Sequence, residues 1–143
     1  MIDQITKYLA LTHLKPVGRI NIIDGVFELL FLRNEGMAFG LLQGGRWFFV
    51  ITTPIILAAI IFYYFKLPKH SPYHLVRLSL VLVFAGAIGN FIDRARDGSV
   101  IDFLHATFIN FPVFNAADIF IVAGTFLFAI VNIFFVKDQV REK

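Results

Sequence analysis

The chain contains no cysteine. That excludes disulfides, thiolate metal sites and a cysteine nucleophile, and it removes anchoring through a lipidated cysteine. Charge is the second scarcity. Only 16% of the 143 residues are Asp, Glu, Lys or Arg, against about 25% in an average soluble domain. The net charge of +3 is small, and with no basic run resembling a nucleic-acid arm, nucleic acid is not expected as a partner. Internal repeats and low-complexity segments are missing too. Residues 2–14 lack the basic start and small-residue cleavage site of a secretory signal. No Ser-His-Asp order and no glycine-rich phosphate loop is convincing. The one His-x-x-x-His pair, His70 and His74, has Pro72 between its members in a basic loop, while His13 and His105 stand alone. No metal site is expected from such a set.

What the chain does have is apolar surface. Hydrophobic residues make up 58% of it, and phenylalanine alone supplies 18 positions. One water-soluble core of this size cannot hide so much, so lipid is the expected solvent. A bilayer core takes roughly 20 apolar residues as a helix. Residues 47–65, 78–92 and 119–136 carry no charge, and Arg77 stands at the edge of the second run, where it can snorkel. These runs predict spans at about 47–65, 75–93 and 117–136, in a single integral membrane domain covering 1–143. The fold class is therefore all-α and polytopic. Pro54 lies inside the first span, where neighbours must satisfy the freed carbonyl. Residues 1–14 hold Asp3 and Lys7 and are too short to cross; they read as an interfacial helix or as the outer end of a helix.

Orientation follows from the basic residues. Lys66, Lys69 and Arg77 flank one connection, and Lys137, Arg141 and Lys143 end the chain; both groups belong on the cytoplasmic side. Residues 15–46 and 94–117 then face outward. Within the first of these, residues 19–33 are rich in β-branched and aromatic side chains and predict a short hairpin turning at Asp24-Gly25.

Four acids, Asp93, Asp97, Asp102 and Asp118, gather around the outer ends of the second and third spans. Charge at membrane depth asks for a reason. Asp118 opens the last span, where a helix N-terminus favours negative charge, so a simple cap is one reading. Asp102 sits in an apolar stretch, VIDFLHA, and is otherwise a water-exposed loop carboxylate. Two carboxylates brought close do not both ionise easily, which gives one base and one acid, as in aspartic proteases. Asp93-Arg94 reads as a local pair at a helix end, and Asn90, one turn earlier, as a hydrogen-bonding residue. Ala85, Gly86 and Gly89 permit close helix approach. Intramembrane acids also serve transporters and channel subunits, but there they are spread across the bilayer; a non-catalytic scaffold would not need several acids and asparagines in one place.

Five ordered motifs carry a resemblance to the lipoprotein signal peptidase family, also called signal peptidase II. They are Asp3-Gln4-x-Thr6-Lys7, Arg33-Asn34-x-Gly36-x-Ala38-Phe39-Gly40, Gly86-x-x-Gly89-Asn90-x-x-Asp93-Arg94, Gly98-x-Val100-x-Asp102-Phe103 and Phe114-Asn115-x-Ala117-Asp118. The resemblance implies a multi-pass enzyme of the bacterial inner membrane with a small extracytoplasmic β element and a site near that face. Its substrate would be a prolipoprotein signal peptide with a diacylglyceryl cysteine, cut just before that cysteine in contact with membrane lipid. Asp102 and Asp118 fall on the family's catalytic pair. Asp3, Lys7, Asn34, Gly36, Asn90, Asp93, Arg94 and Asn115 fall on positions that line or support the site. No metal or organic cofactor is implied, and globomycin is the expected inhibitor. The family's first helix lies largely upstream of the motif beginning at Asp3, so this first helix reads as truncated and the natural protein is expected to be longer. In the short form Asp3 and Lys7 are expected to be poorly held.

Overall fold

Charge-free runs of Leu, Ile, Phe and Ala give the backbone no polar partner but itself, and in lipid that outcome is a helix. The computed structural model describes residues 2–36, 41–69, 73–109 and 111–136. Three such helices appear: α2 (Arg46–Lys66), α3 (Tyr73–Asp97) and α4 (Ala116–Val131), the last continuing through a wider π turn, Asn132–Val136. Each is long and apolar enough to cross a membrane. Before them come α1 (Ile2–Leu9), which runs into a π turn at Ala10–Leu14, and the strands β1 (Arg19–Ile23) and β2 (Phe27–Asn34). A third strand, β3 (Val100–Ala106), lies between α3 and α4. Of the sequence features above, Ala38, Phe39, Gly40, His70, Pro72, Lys137, Arg141 and Lys143 lie outside the described residues.

The chain divides into two compact units. The first holds Met1–Ile51 and Gly89–Ala116. Its sheet is antiparallel with the order β1-β2-β3. The hairpin expected at Asp24-Gly25 is present: the Val26 N–H donates to the Ile23 carbonyl at 3.0 Å, and Gly25 sits at φ 71°, which a side chain would disfavour. Strand β3 was not foreseen. It pairs with β2 in a register that sets Asn34 against Val100, Leu32 against Asp102 and Glu28 against His105. Behind the sheet, Ala10 and Leu14 of the first helix pack on Ile101 and Phe103 of β3, which fixes the helix against the strand. Phe114 closes onto Leu104 with backbone bonds of 2.8 and 2.9 Å, and so carries Asn115 to the edge of β3.

The second unit holds Thr52–Ile88 and Ala117–Lys143. Its core is Leu67, Val76, Leu80 and Val131. Backbone approach is close here. A Cβ on Gly86 would meet the Ala117 carbonyl and Ile121, and one on Gly124 would lie 2.7 Å from the Ser79 carbonyl. Small residues at helix crossings permit this, as expected for Gly86. Arg77, at the edge of its span, donates to the Leu67 carbonyl at 2.6 Å and stacks over Tyr64. Around this core, Ile55, Ile56, Phe62, Phe65 and Phe126 are exposed, a surface suited to lipid tails.

Candidate active site

Asp3, Lys7, Asn90, Asp93, Asp102 and Asn115, buried polar residues of the first unit, form one connected network. On α1, Asp3 and Lys7 are four residues apart and share a face; their side chains pair at 2.9 Å. Near the end of α3, Asn90 and Asp93 also share a face, one turn apart. The Lys7 ammonium lies 2.8 Å from Asp93 Oδ2 and donates to Asn90 Oδ1 at 2.8 Å. Three oxygens therefore surround a cation that is only 2% exposed. Gln4 adds its amide, donating to Asp93 Oδ1 at 2.9 Å and to the Gly89 carbonyl at 3.2 Å. Asp3 and Lys7, expected to be poorly held, are thus buried and paired. Unpaired charges in such a place would cost several kcal/mol each.

From Asn90 the network continues to Asp102. Asn115 is fully buried, and its Nδ2 donates to Asn90 Oδ1 at 3.1 Å and to Asp102 Oδ1 at 2.7 Å. On the other carboxylate oxygen, Asn34 Nδ2 donates to Asp102 Oδ2 at 3.0 Å. Asn34 is itself oriented by the Gly36 N–H, which donates to its Oδ1 at 3.0 Å. Asp102 is therefore a buried residue on β3, 2% exposed, and the alternative of a water-exposed loop carboxylate falls away. Its two oxygens each receive an asparagine amide.

Besides the contacts of Asp93 to Lys7 and Gln4, Arg94 has partners of its own. Consecutive residues on a helix project about 100° apart. Arg94 donates to the Gly36 carbonyl at 2.8 Å and stacks 4.3 Å from the centre of the Phe49 ring. A Cβ on Gly36 would run into the Leu41 carbonyl, so only glycine fits between Asn34 and that loop. Asp118 belongs to the second unit; it is half-buried in the first turn of α4, where the helix dipole favours its charge.

Two participants were not singled out from sequence. Gln4 lies between Asp3 and Lys7 and three residues before the latter, a spacing that puts it on the same face. Glu28, buried on β2, has its Oε1 2.7 Å from His105 Nδ1 and its Oε2 3.5 Å from Arg19 Nε. Its signal was the strand register, which the sequence did not reveal. Among the described residues, no group of three or more His, Asp or Glu side chains is placed to hold a metal ion.

Three apolar helices and a small sheet carrying a buried carboxylate–amide network define a multi-pass membrane protein. The family model for signal peptidase (SPase) II matches residues 1–135. A lipoprotein signal peptidase of Brevibacillus brevis is 46% identical over 123 residues, covering 86% of this chain and 81% of the relative. One of Caldanaerobacter subterraneus is 42% identical over 134 residues, covering 93% and 89%. Among solved structures, a bacterial membrane enzyme determined by the in meso method at 2.3 Å is similar with a TM-score of 0.85 and 36% identity, over 99% of this chain and 85% of the other. A second, at 1.9 Å, has a TM-score of 0.82 and 35% identity, over 94% and 86%. The chain belongs to the signal peptidase II family, a family of peptidases.

Proposed function

We propose that this protein is a membrane-embedded aspartyl endopeptidase, a single domain over residues 1–143, that removes signal peptides from diacylglyceryl-modified bacterial prolipoproteins and cuts just before the lipidated cysteine. The observation that carries the reading is Asp102: a buried carboxylate on a strand, with an asparagine amide on each oxygen. Membership in the signal peptidase II family supports it.

Asp102 and Asp118 are the proposed catalytic pair. One, ionised, takes a proton from water as it attacks the scissile carbonyl. The other, protonated, donates to the carbonyl oxygen as charge develops there. Asn34 and Asn115 hold Asp102 in one orientation, which saves the reorganisation a mobile carboxylate would require. Asp3, Lys7, Asn90 and Asp93 support that arrangement, and Arg94 with Gly36 braces the loop after β2. The basic residues flanking the spans favour an orientation with the site near the extracytoplasmic face, and family membership favours the bacterial inner membrane. A substrate whose acyl chains sit in the same bilayer is then presented at headgroup depth. Globomycin is expected to block the peptide site.

The test is cleavage of a diacylglyceryl-modified prolipoprotein by the purified protein in lipid or detergent. Wild type is expected to release the signal peptide and globomycin to stop it. Asp102→Asn and Asp118→Asn are each expected to abolish cleavage while inserting normally. Substantial turnover by either variant removes that residue from the catalytic pair.

A further inference from the structure

We propose that Lys7 is a positioning residue for the peptidase: held between Asp3 and Asp93, its ammonium fixes which way the Asn90 amide points, and through Asn90 and Asn115 it orients Asp102. The inference rests on the reading of Asp102 as an acid–base residue.

The argument follows donors and acceptors. An asparagine side chain has one end that accepts and one that donates, and the two ends have nearly the same shape. Packing alone therefore does not choose between them. At Asn90 the choice is made by charge. Its Oδ1 receives both Lys7 Nζ at 2.8 Å and Asn115 Nδ2 at 3.1 Å. Were the amide turned over, its NH2 would face an ammonium and another NH2, donor against donor. An ammonium has no acceptor form to offer, so the orientation is forced.

The same logic passes to Asn115. With Asn90 Oδ1 taking one of its N–H groups, the other is aimed at Asp102 Oδ1 at 2.7 Å. Lys7 thus acts on Asp102 through two intervening amides and touches neither it nor any substrate position described above. Asp3 and Asp93 hold the ammonium at 2.9 and 2.8 Å, and Gln4 steadies Asp93 at 2.9 Å. The orientation of a carboxylate on β3 is therefore controlled from α1, more than ninety residues earlier in the chain.

Lys7→Met alone takes the cation from between two buried carboxylates and is expected to damage folding. The informative variant is Asp3→Asn with Lys7→Met. Both changes lie on α1, the formal charge of the cluster is unchanged, and Asp93 keeps its Gln4 donor. Activity is measured on the whole protein with the diacylglyceryl-modified prolipoprotein, as kcat and KM per folded molecule and as a pH–rate profile. The expected result is a fall in kcat of roughly 10-fold or more with little change in KM, as for a donor lost near a reacting charge. A donor weakened on a carboxylate also disfavours its charged form, so the limb of the profile that Asp102 governs is displaced to higher pH. In an Asn115→Ala background the pair of changes is expected to add no further displacement, because the route through Asn115 is already broken. A wild-type profile and kcat in the folded Asp3→Asn/Lys7→Met protein would overturn the proposal, and so would an equal displacement in the Asn115→Ala background. Failure of the underlying reading looks different: Asp102→Asn would then cleave normally.

Discussion

Two asparagine amides hold Asp102, from 68 and 13 residues away in the chain. Neither spacing announces a contact, and that is why the sequence left Asp102 open between a buried and an exposed setting. The motifs named these residues; the donor–acceptor pattern among them became visible only with β3 in place. Asn34→Ala removes the amide on Asp102 Oδ2. A hydrogen bond to a charged group is worth about 1.5–3 kcal/mol, so cleavage by this variant is expected to slow by roughly 10- to 100-fold. Steady-state rates on detergent-purified protein of unchanged melting temperature would check this, and a rate within twofold of wild type would refute it. For Asp93 and Arg94, read as serving local structure at a helix end, the sequence did not show the longer-range partners. Adjacency in sequence is not adjacency on a helix, and both residues found partners on other elements.

Elements were legible where one physical rule dominates. Charge-free length predicted spans at about 47–65, 75–93 and 117–136, and the helices are Arg46–Lys66, Tyr73–Asp97 and Ala116–Val131 with its π turn to Val136. Their ends run past the apolar runs because charged residues such as Arg46 and Asp97 continue the helix toward water. The hairpin was legible from its turn. Strand β3 was not, because VIDFLHA is a short apolar run with no strict alternation, and its pairing partner precedes it by more than sixty residues. Packing within the second unit gives a prediction at this scale. Gly124→Val places side-chain atoms against the Ser79 carbonyl and Val83, where a Cβ already lies within 2.8 Å. Overpacking of this kind typically costs about 1–3 kcal/mol, and a drop of several degrees in melting temperature is expected without any change at the polar network. An unchanged melt would mean that α3 and α4 part at little cost.

At the scale of the whole molecule, buried polarity is unevenly distributed. Of the buried polar and charged residues, Asp3, Lys7, Glu28, Asn90, Asp93, Ser99, Asp102 and Asn115 belong to the first unit. In the second unit the buried hydroxyl of Ser79 turns back to its own helix, onto the Val76 carbonyl at 2.7 Å. Composition had revealed the apolar excess but not this partition, since it depends on which faces meet. The single tryptophan, Trp47, offers a direct check of the membrane reading. It lies in the first turn of α2 with 70% of its surface exposed in the isolated chain. Aromatic residues at span ends sit at the headgroup level. In reconstituted vesicles its emission is expected to be blue-shifted, and quenched more by lipids brominated near the headgroup than near the chain end. Water-like emission would place this end of α2 outside the bilayer.

The Lys7 cluster also constrains how the protein is made. Gln4 and Lys7 find their α3 partners 83 to 89 residues later in the chain. At ribosomal rates of about 5–20 residues per second, the partners arrive on the order of ten seconds after α1 is synthesised. Over that interval the nascent α1 holds a carboxylate and an ammonium with no α3 to receive them. Their spacing of four residues lets Asp3 and Lys7 neutralise each other within the one helix, at the same 2.9 Å seen in the finished protein. The pair is thus an escort for its own charge during translation, and arrival of α3 converts that escort into the cluster that orients Asn90.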